Sequence, residues 1–224
     1  MNHGDHVLEL LKRHEGAGRT ILLIRHSVRE SLRKIPPVLR NDVAITPEGI
    51  VHAEEFGRKL KKIAPDMTLL VGHTAPLRCC MTAECIRRGF SSPDTTRDLG
   101  ILPHVENVIV DPVNFSALWE ELGWHTLMRQ WLGGEIPGHT LENPHRYSER
   151  LLERLVTFPV VNDTDLLVVV AHDVTILPVL ASACGTTLTT VGFLNGILIS
   201  GDESGAEIRF ADPENTLRAE WSPG

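Results

Sequence analysis

The chain has 224 residues, 42% hydrophobic and 23% charged, an ordinary globular balance with apolar material for a sizeable core. A formal net charge of −7 argues against a surface for nucleic acid or anionic membrane, so any basic pocket must be local and held against an acidic background. No apolar run is long enough to span a membrane.

The first residues, MNHGDHVLELLKRHEG, lack the apolar core and cleavage site of a signal peptide, so a soluble cytoplasmic chain is expected. Within them DHVLELLKRH, 5–14, reads as a short amphipathic helix with Val7, Leu10 and Leu11 on one side. That side would suit a homodimer contact as well as intrachain packing. TILLI, 20–24, is a continuous apolar run of strand length, as expected in a parallel sheet covered on both faces. It runs straight into Arg25-His26, with Arg29 three positions on. Residues 27–45, rich in Arg, Pro and Asn, read as an excursion loop. TPEG then starts a helix, with Thr46 as N-cap, Pro47 at the first helical position and Glu48 in the first turn. Ile50, Ala53, Gly57, Leu60 and Ile63 would carry its buried stripe.

MTLLVG, 67–72, is a second buried strand, followed by Thr74-Ala75-Pro76 and a helix to about Arg88 closed by Gly89. Cys79, Cys80, Cys85 and Cys184 fit neither a zinc pattern nor a disulfide framework and read as reduced thiols. Between about 100 and 160 the pattern changes to helical stretches at 115–132 and 144–157, joined by GGEIPGH and holding Trp119, Trp124 and Trp131. A lid over a site is the functional reading of this insertion, although core packing is the commoner fate of any one tryptophan. Trp119, Trp124, Phe115 and Leu118 would make an apolar wall. LLVVVA, 166–171, is a third buried strand, and the helix after it ends near Cys184 before Gly185. Pro178 fits a helix that starts around Thr175 and keeps the proline in its first turn. GILIS and AEIRF are two more strands, joined by a turn at Asp202 to Gly205. The alternation predicts an α/β fold of three layers, a mostly parallel sheet with helices on both faces. Residues 1–224 would be a single domain, with the helical insertion over the carboxyl ends of the strands.

Three of these strands end in polar groups: Arg25, His26 and Arg29 on the first, His73 and Arg78 on the second, His172 and Asp173 on the third. In open α/β sheets, sites form beyond the carboxyl ends of the strands. A lone histidine there is more often structural, and a lone arginine more often a surface ion-pair partner; their joint position is the signal. Arginine forks grip phosphate oxygens bidentately, and a neutral imidazole can attack phosphorus to form a phosphoenzyme. Carboxylate ligands are scarce and three arginines would repel a cation, so neither metal nor cofactor is expected.

The ordered set resembles the histidine phosphatase superfamily, which has the phosphoglycerate-mutase-like fold. ILLIRHS is similar to its RHG signature, TPEG to its LTPEG element, TAPLRCCMTAE to its SPLxRCxQTAE segment, and VVVAHDVTI to its second-histidine strand. The likeness spans roughly 20–100 and 165–200. It implies a phosphomonoesterase that hydrolyses a small phosphorylated metabolite through a phosphohistidine on His26. Arg25, Arg78 and His172 would complete the phosphate pocket, and Arg29, Ser27, His73 and Glu106 would contact substrate. In the mutase-like branch the general acid is a glutamate after the second strand–helix unit. Its usual place here reads Gly100-Ile101, with Glu106 within reach. In the acid-phosphatase branch the signature is RHGxRxP with an aspartate directly after the second histidine. Arg29 and His172-Asp173 match that pattern, which makes Asp173 the first choice for proton donor. Ser27 stands in place of the signature glycine, and Glu30-Ser31 in place of xP. The alternatives are a phosphomutase and a non-catalytic or repurposed member that binds a phospho-ligand.

Overall fold

A computed structural model describes residues 3–15, 18–91, 93–105, 108–159 and 164–223. The aliphatic runs form β1 (Arg19–Arg25), β2 (Thr68–His73) and β4 (Asp165–Ala171), joined by β3 (Thr96–Ile101), β5 (Gly196–Asp202), β6 (Gly205–Ala211) and β7 (Thr216–Trp221). They make one sheet in the order β3-β2-β4-β1-β5-β6-β7. The first four strands in that order are parallel, and β5, β6 and β7 follow β1 as an antiparallel meander.

The central strands lack a two-residue hydrophobic period because both faces are covered. Leu22, Ile24, Leu69, Val71, Val168 and Val170 face one core, with α1 (Asp5–Lys12), α2 (Pro47–Ile63) and α3 (Leu77–Phe90). Ile21, Leu23, Leu70, Leu167 and Val169 face the other, with α4 (Pro112–Leu122), α5 (Trp124–Leu132), α6 (Pro144–Val156) and α7 (Asp173–Cys184). Val7, Leu8 and Leu11 of α1 are buried in the first core, while Leu10 sits at its margin. No helix among the described residues is long and apolar enough to cross a membrane.

Several boundaries differ from the sequence reading, each for a local reason. α3 runs through Gly89 to Phe90. A Cβ at Gly89 would lie 2.0 Å from the Glu54 carbonyl oxygen, and one at Gly57 2.1 Å from that of Ile86. The two glycines are therefore the crossing point of α2 and α3 rather than a cap. α7 starts at Asp173, not Thr175, because the His172 carbonyl already accepts from Thr175 N and Ile176 N. Pro178 thus lies inside the helix, where the burial of Ile176, Leu177, Val179 and Leu180 offsets the lost backbone bond. The stretch 115–132 is two helices: Gly123, at φ 72° and ψ 163°, breaks it, and α4 begins early where the Asp111 carboxylate caps Val113 N and Asn114 N. β7 was not anticipated; it is a half-exposed edge strand held by pairing with β6.

Candidate active site

β1 and β4 are neighbours in register, with Arg25 opposite Ala171, so the residues after them emerge together. His26 N donates to Ala171 O at 3.0 Å, and the His26 and His172 rings meet edge to face with centroids 5.3 Å apart. β2 lies on the other side of β4, and Thr74 N donates to Val170 O at 3.0 Å. Backbone pairing alone brings the three strand ends to one place.

His26 is 2% exposed, and its Nδ1 lies 2.8 Å from the Ser27 carbonyl oxygen. A carbonyl only accepts, so Nδ1 carries the hydrogen and Nε2 is left with a free lone pair. Burial holds the imidazole well below its ordinary pKa; His172, Arg78 and Arg25 push the same way and outweigh the Ser27 carbonyl. The ring is held neutral, with one nitrogen lone pair available.

The turn after His26 is braced by two helices. Ser27 N donates to Thr82 Oγ1 at 3.0 Å, and that hydroxyl donates to Arg78 O at 2.7 Å. Ser27 Oγ donates to Gly49 O at 2.7 Å, and Thr46 N donates to Val28 O at 2.9 Å. A Cβ at Gly49 would stand 2.3 Å from the Val28 carbonyl, which is why TPEG carries a glycine there. Ser27 is fully buried with its hydroxyl spent on α2, so its contribution in this geometry is to hold the turn.

Three guanidinium groups crowd the same space. Arg25 Nη1 lies 3.4 Å from Asp173 Oδ2, and its Cζ sits 4.4 Å above the Phe193 ring. Arg78 Nη1 donates to Arg40 O at 2.8 Å, and Arg29 Nη1 to Glu30 O at 2.7 Å. Burial first, then Arg78 and Arg25, push Arg29 down to about 10. Arg78 is also lowered by burial, and further by Arg25, against the opposing pull of Cys79 and Asp173. The Nε atoms of Arg25, Arg29 and Arg78 are all buried without a hydrogen-bond partner. Unpaired donors on mutually repelling cations are costly, and an anion with several oxygens is the group that would satisfy them.

His172 Nε2 lies 3.3 Å from Thr74 Oγ1 and 3.5 Å from Cys79 Sγ. Desolvation and then Arg78, Arg25 and Arg29 hold it well below its ordinary value. Asp173, buried at the start of α7, faces the cavity beside it.

The cavity has a volume of about 860 Å³, and His26, Arg29, Arg78, His172 and Asp173 all line it. Its opposite wall comes from α4, the start of α5 and the 27–45 loop. Of the residues singled out in the sequence, His73 is buried with Nδ1 2.9 Å from Thr74 O and, like Ser27 and Arg25, is not among the lining residues; Arg25 Nη1 donates to Val191 O. Glu106 lies outside the described residues. Trp131 is core, whereas Trp119 and Trp124 line the cavity; Leu118 packs against the hydrophobic core instead. Sequence reasoning missed Thr82, Phe193 and Arg40. Arg40 lines the cavity from a short 3-10 helix, Pro37–Asp42, in a stretch with several arginines, and no spacing signal separates it from Arg33.

Comparison with solved structures returns proteins of similar fold. A phosphoserine phosphatase from Entamoeba histolytica in complex with 3-phosphoglyceric acid aligns with a TM-score of 0.54 at 20% identity, covering 80% of this chain and 89% of that one. A mycobacterial glucosyl-3-phosphoglycerate phosphatase in complex with VO3 aligns with a TM-score of 0.55 at 14% identity, covering 92% of this chain and 100% of that one. No curated protein matches the sequence significantly. The model of the histidine phosphatase superfamily (branch 1) matches residues 21–195, from β1 to the residue before β5. That match is to branch 1 and does not carry the acid-phosphatase-branch features read into Arg29 and the His172-Asp173 pair. With both histidine strands and both helices that brace the turn after His26 inside the matched span, the chain belongs to the histidine phosphatase superfamily.

Proposed function

We propose that this protein is a phosphomonoesterase that works through a phosphohistidine on His26. The observation that carries the reading is the neutral imidazole with a free Nε2, sharing a cavity with Arg29 and Arg78, whose buried Nε donors lack partners. In the first step Nε2 attacks phosphorus, the P–O bond to the alcohol breaks, and Asp173 gives a proton to the leaving oxygen. In the second, water attacks the phosphohistidine, Asp173 takes its proton, and phosphate leaves. Arg29 and Arg78 hold the equatorial oxygens, Arg25 adds its charge from beside Asp173, and His172 supports the charge that develops on them. Structural neighbours whose names describe phosphatases, one of them holding VO3, support a phosphoryl-transfer site on this fold.

One observation favours a second assignment of the acid. The match is to branch 1, and the mutase-like arrangement draws its proton donor from the segment after β3, where Glu106 lies. Both assignments keep His26 as nucleophile.

The test is a rapid alkaline quench during turnover of a labelled phosphate ester. Acid-labile, alkali-stable label that disappears in His26→Ala is the expected result. Label on Ser27, or turnover that survives His26→Ala, would overturn the mechanism.

A further inference from the structure

We infer that the ester's alcohol half is predominantly apolar: the cavity takes the phosphate of an extended aliphatic or aromatic alcohol. It does not suit the phosphate of a sugar or of a carboxylate-bearing alcohol. This rests on the phosphatase reading of the site and names its substrate class.

The charged lining groups fall into two sets: His26, Arg29, Arg78, His172 and Asp173 together, and Arg40 paired with Glu120. Beyond the first set the wall is mostly apolar, with Val105, Val108, Ile109, Phe115, Trp119 and Trp124, and its polar members there include Asn41, Ser116 and the Arg40–Glu120 pair. At the mouth, Val38 and Val113 are 85% and 78% exposed, apolar surface that a chain leaves in water only at a cost. A volume of about 860 Å³ is far more than a phosphoryl group needs and lies in the upper part of the range for organic ligands, about 300–1,000 Å³.

Arg40 is the one cation among the described lining residues outside the phosphoryl end, and its guanidinium is already committed. Nε donates to Ile35 O at 3.1 Å, Nη1 to Ser116 Oγ at 3.4 Å, and Nη2 sits 3.6 Å from Glu120 Oε1. Its plane lies over the Trp119 ring, with Cζ 4.5 Å from the centroid. A substrate carboxylate would therefore find no free fork. Arg40 serves the wall instead, by fixing Trp119. Trp124 is fixed in turn by an Nε1–H bond to Thr189 O at 2.9 Å and meets Trp119 edge to face at 5.4 Å. Each ring is pinned by a polar contact from a different part of the chain, so the apolar wall is formed before substrate arrives.

The experiment is steady-state hydrolysis of ethyl, butyl, hexyl and octyl phosphate, below micelle-forming concentrations, beside phosphoserine and 3-phosphoglycerate. The same ligands are titrated into His26→Ala by tryptophan fluorescence. Burial of each methylene should raise kcat/KM, and tighten binding to His26→Ala, by about fourfold until the cavity is filled. Phosphoserine and 3-phosphoglycerate should fall at or below ethyl phosphate. Val113→Asp and Val38→Asp, at exposed positions that should fold, flatten the slope. A flat alkyl series, or preference for phosphoserine or 3-phosphoglycerate, overturns the inference. If no ester, activated aryl phosphates included, is turned over while octyl phosphate still binds best to His26→Ala, the phosphatase reading fails and the ligand class stands.

Discussion

One carboxylate oxygen of Asp173 lies 3.4 Å from a guanidinium nitrogen of Arg25, with both side chains largely shielded from solvent. The residue proposed as proton donor is thus braced by the arginine next to the nucleophile. Asp173→Asn keeps an acceptor for Arg25 but has no proton to deliver. Hydrolysis of alkyl phosphates should fall by about 10²- to 10⁴-fold, while aryl phosphates with good leaving groups are largely spared. Glu106→Gln should leave both nearly intact. The reverse pattern assigns the acid to Glu106.

Stability should depend on pH through His26 and His172. Both are held well below 6.5 in the folded chain, His26 by burial and then His172 and the arginines, His172 by burial and then the arginines. In the unfolded chain they take up protons near about pH 6.5. Below that pH the unfolded state binds more protons than the native one. Stability is therefore fully present above about 6.5 and declines as pH falls toward the folded values. Urea midpoints measured from pH 7.5 to 5 should fall, and His172→Gln should fall less steeply. Parallel slopes for the two proteins would refute the assignment.

Gly49→Ala tests the contact between α2 and the nucleophile's turn. Alanine is the better helix former by about 1 kcal/mol. Its Cβ would nevertheless stand 2.3 Å from the Val28 carbonyl oxygen, which is backbone and cannot swing away. The net result should be a loss of about 1–3 kcal/mol of stability together with a lower kcat, read by urea denaturation and steady-state kinetics. A stabilised, fully active variant would show that the turn adapts freely.

Ser27→Ala removes the hydroxyl bonded to Gly49 O and should cost about 0.5–1.5 kcal/mol, with KM for a phosphate ester unmoved. A raised KM at unchanged stability would place that hydroxyl against substrate instead.

The strand ends could be read in advance because the information is local. An apolar run followed by Arg-His, Thr-Ala-Pro or His-Asp states where a buried strand stops and what it presents. The sheet then brings such ends together whatever the loops do. Arg40 and Phe193 were out of reach because their places depend on partners far along the chain, Trp119 for one and Arg25 for the other. Gly89 was misread because a glycine near a helix end looks like a cap until the neighbouring helix is seen against it. β7 was overlooked although TLRAEW alternates polar and apolar residues, the period of a half-buried strand, which its pairing with β6 bears out.

Gly57 and Gly89 touch nothing in the cavity, yet they gauge it. α2 supports the turn after His26 through Gly49, and α3 carries Arg78. Where these helices cross, the Ile86 and Glu54 carbonyls sit directly against glycine, and no side chain stands between the backbones as a compressible spacer. The reach from His26 to Arg78 is therefore calibrated by contact between two main chains, two turns or more from either residue. The aromatic roof belongs to other helices, so its shape can drift to suit a new alcohol while that calibration stays put.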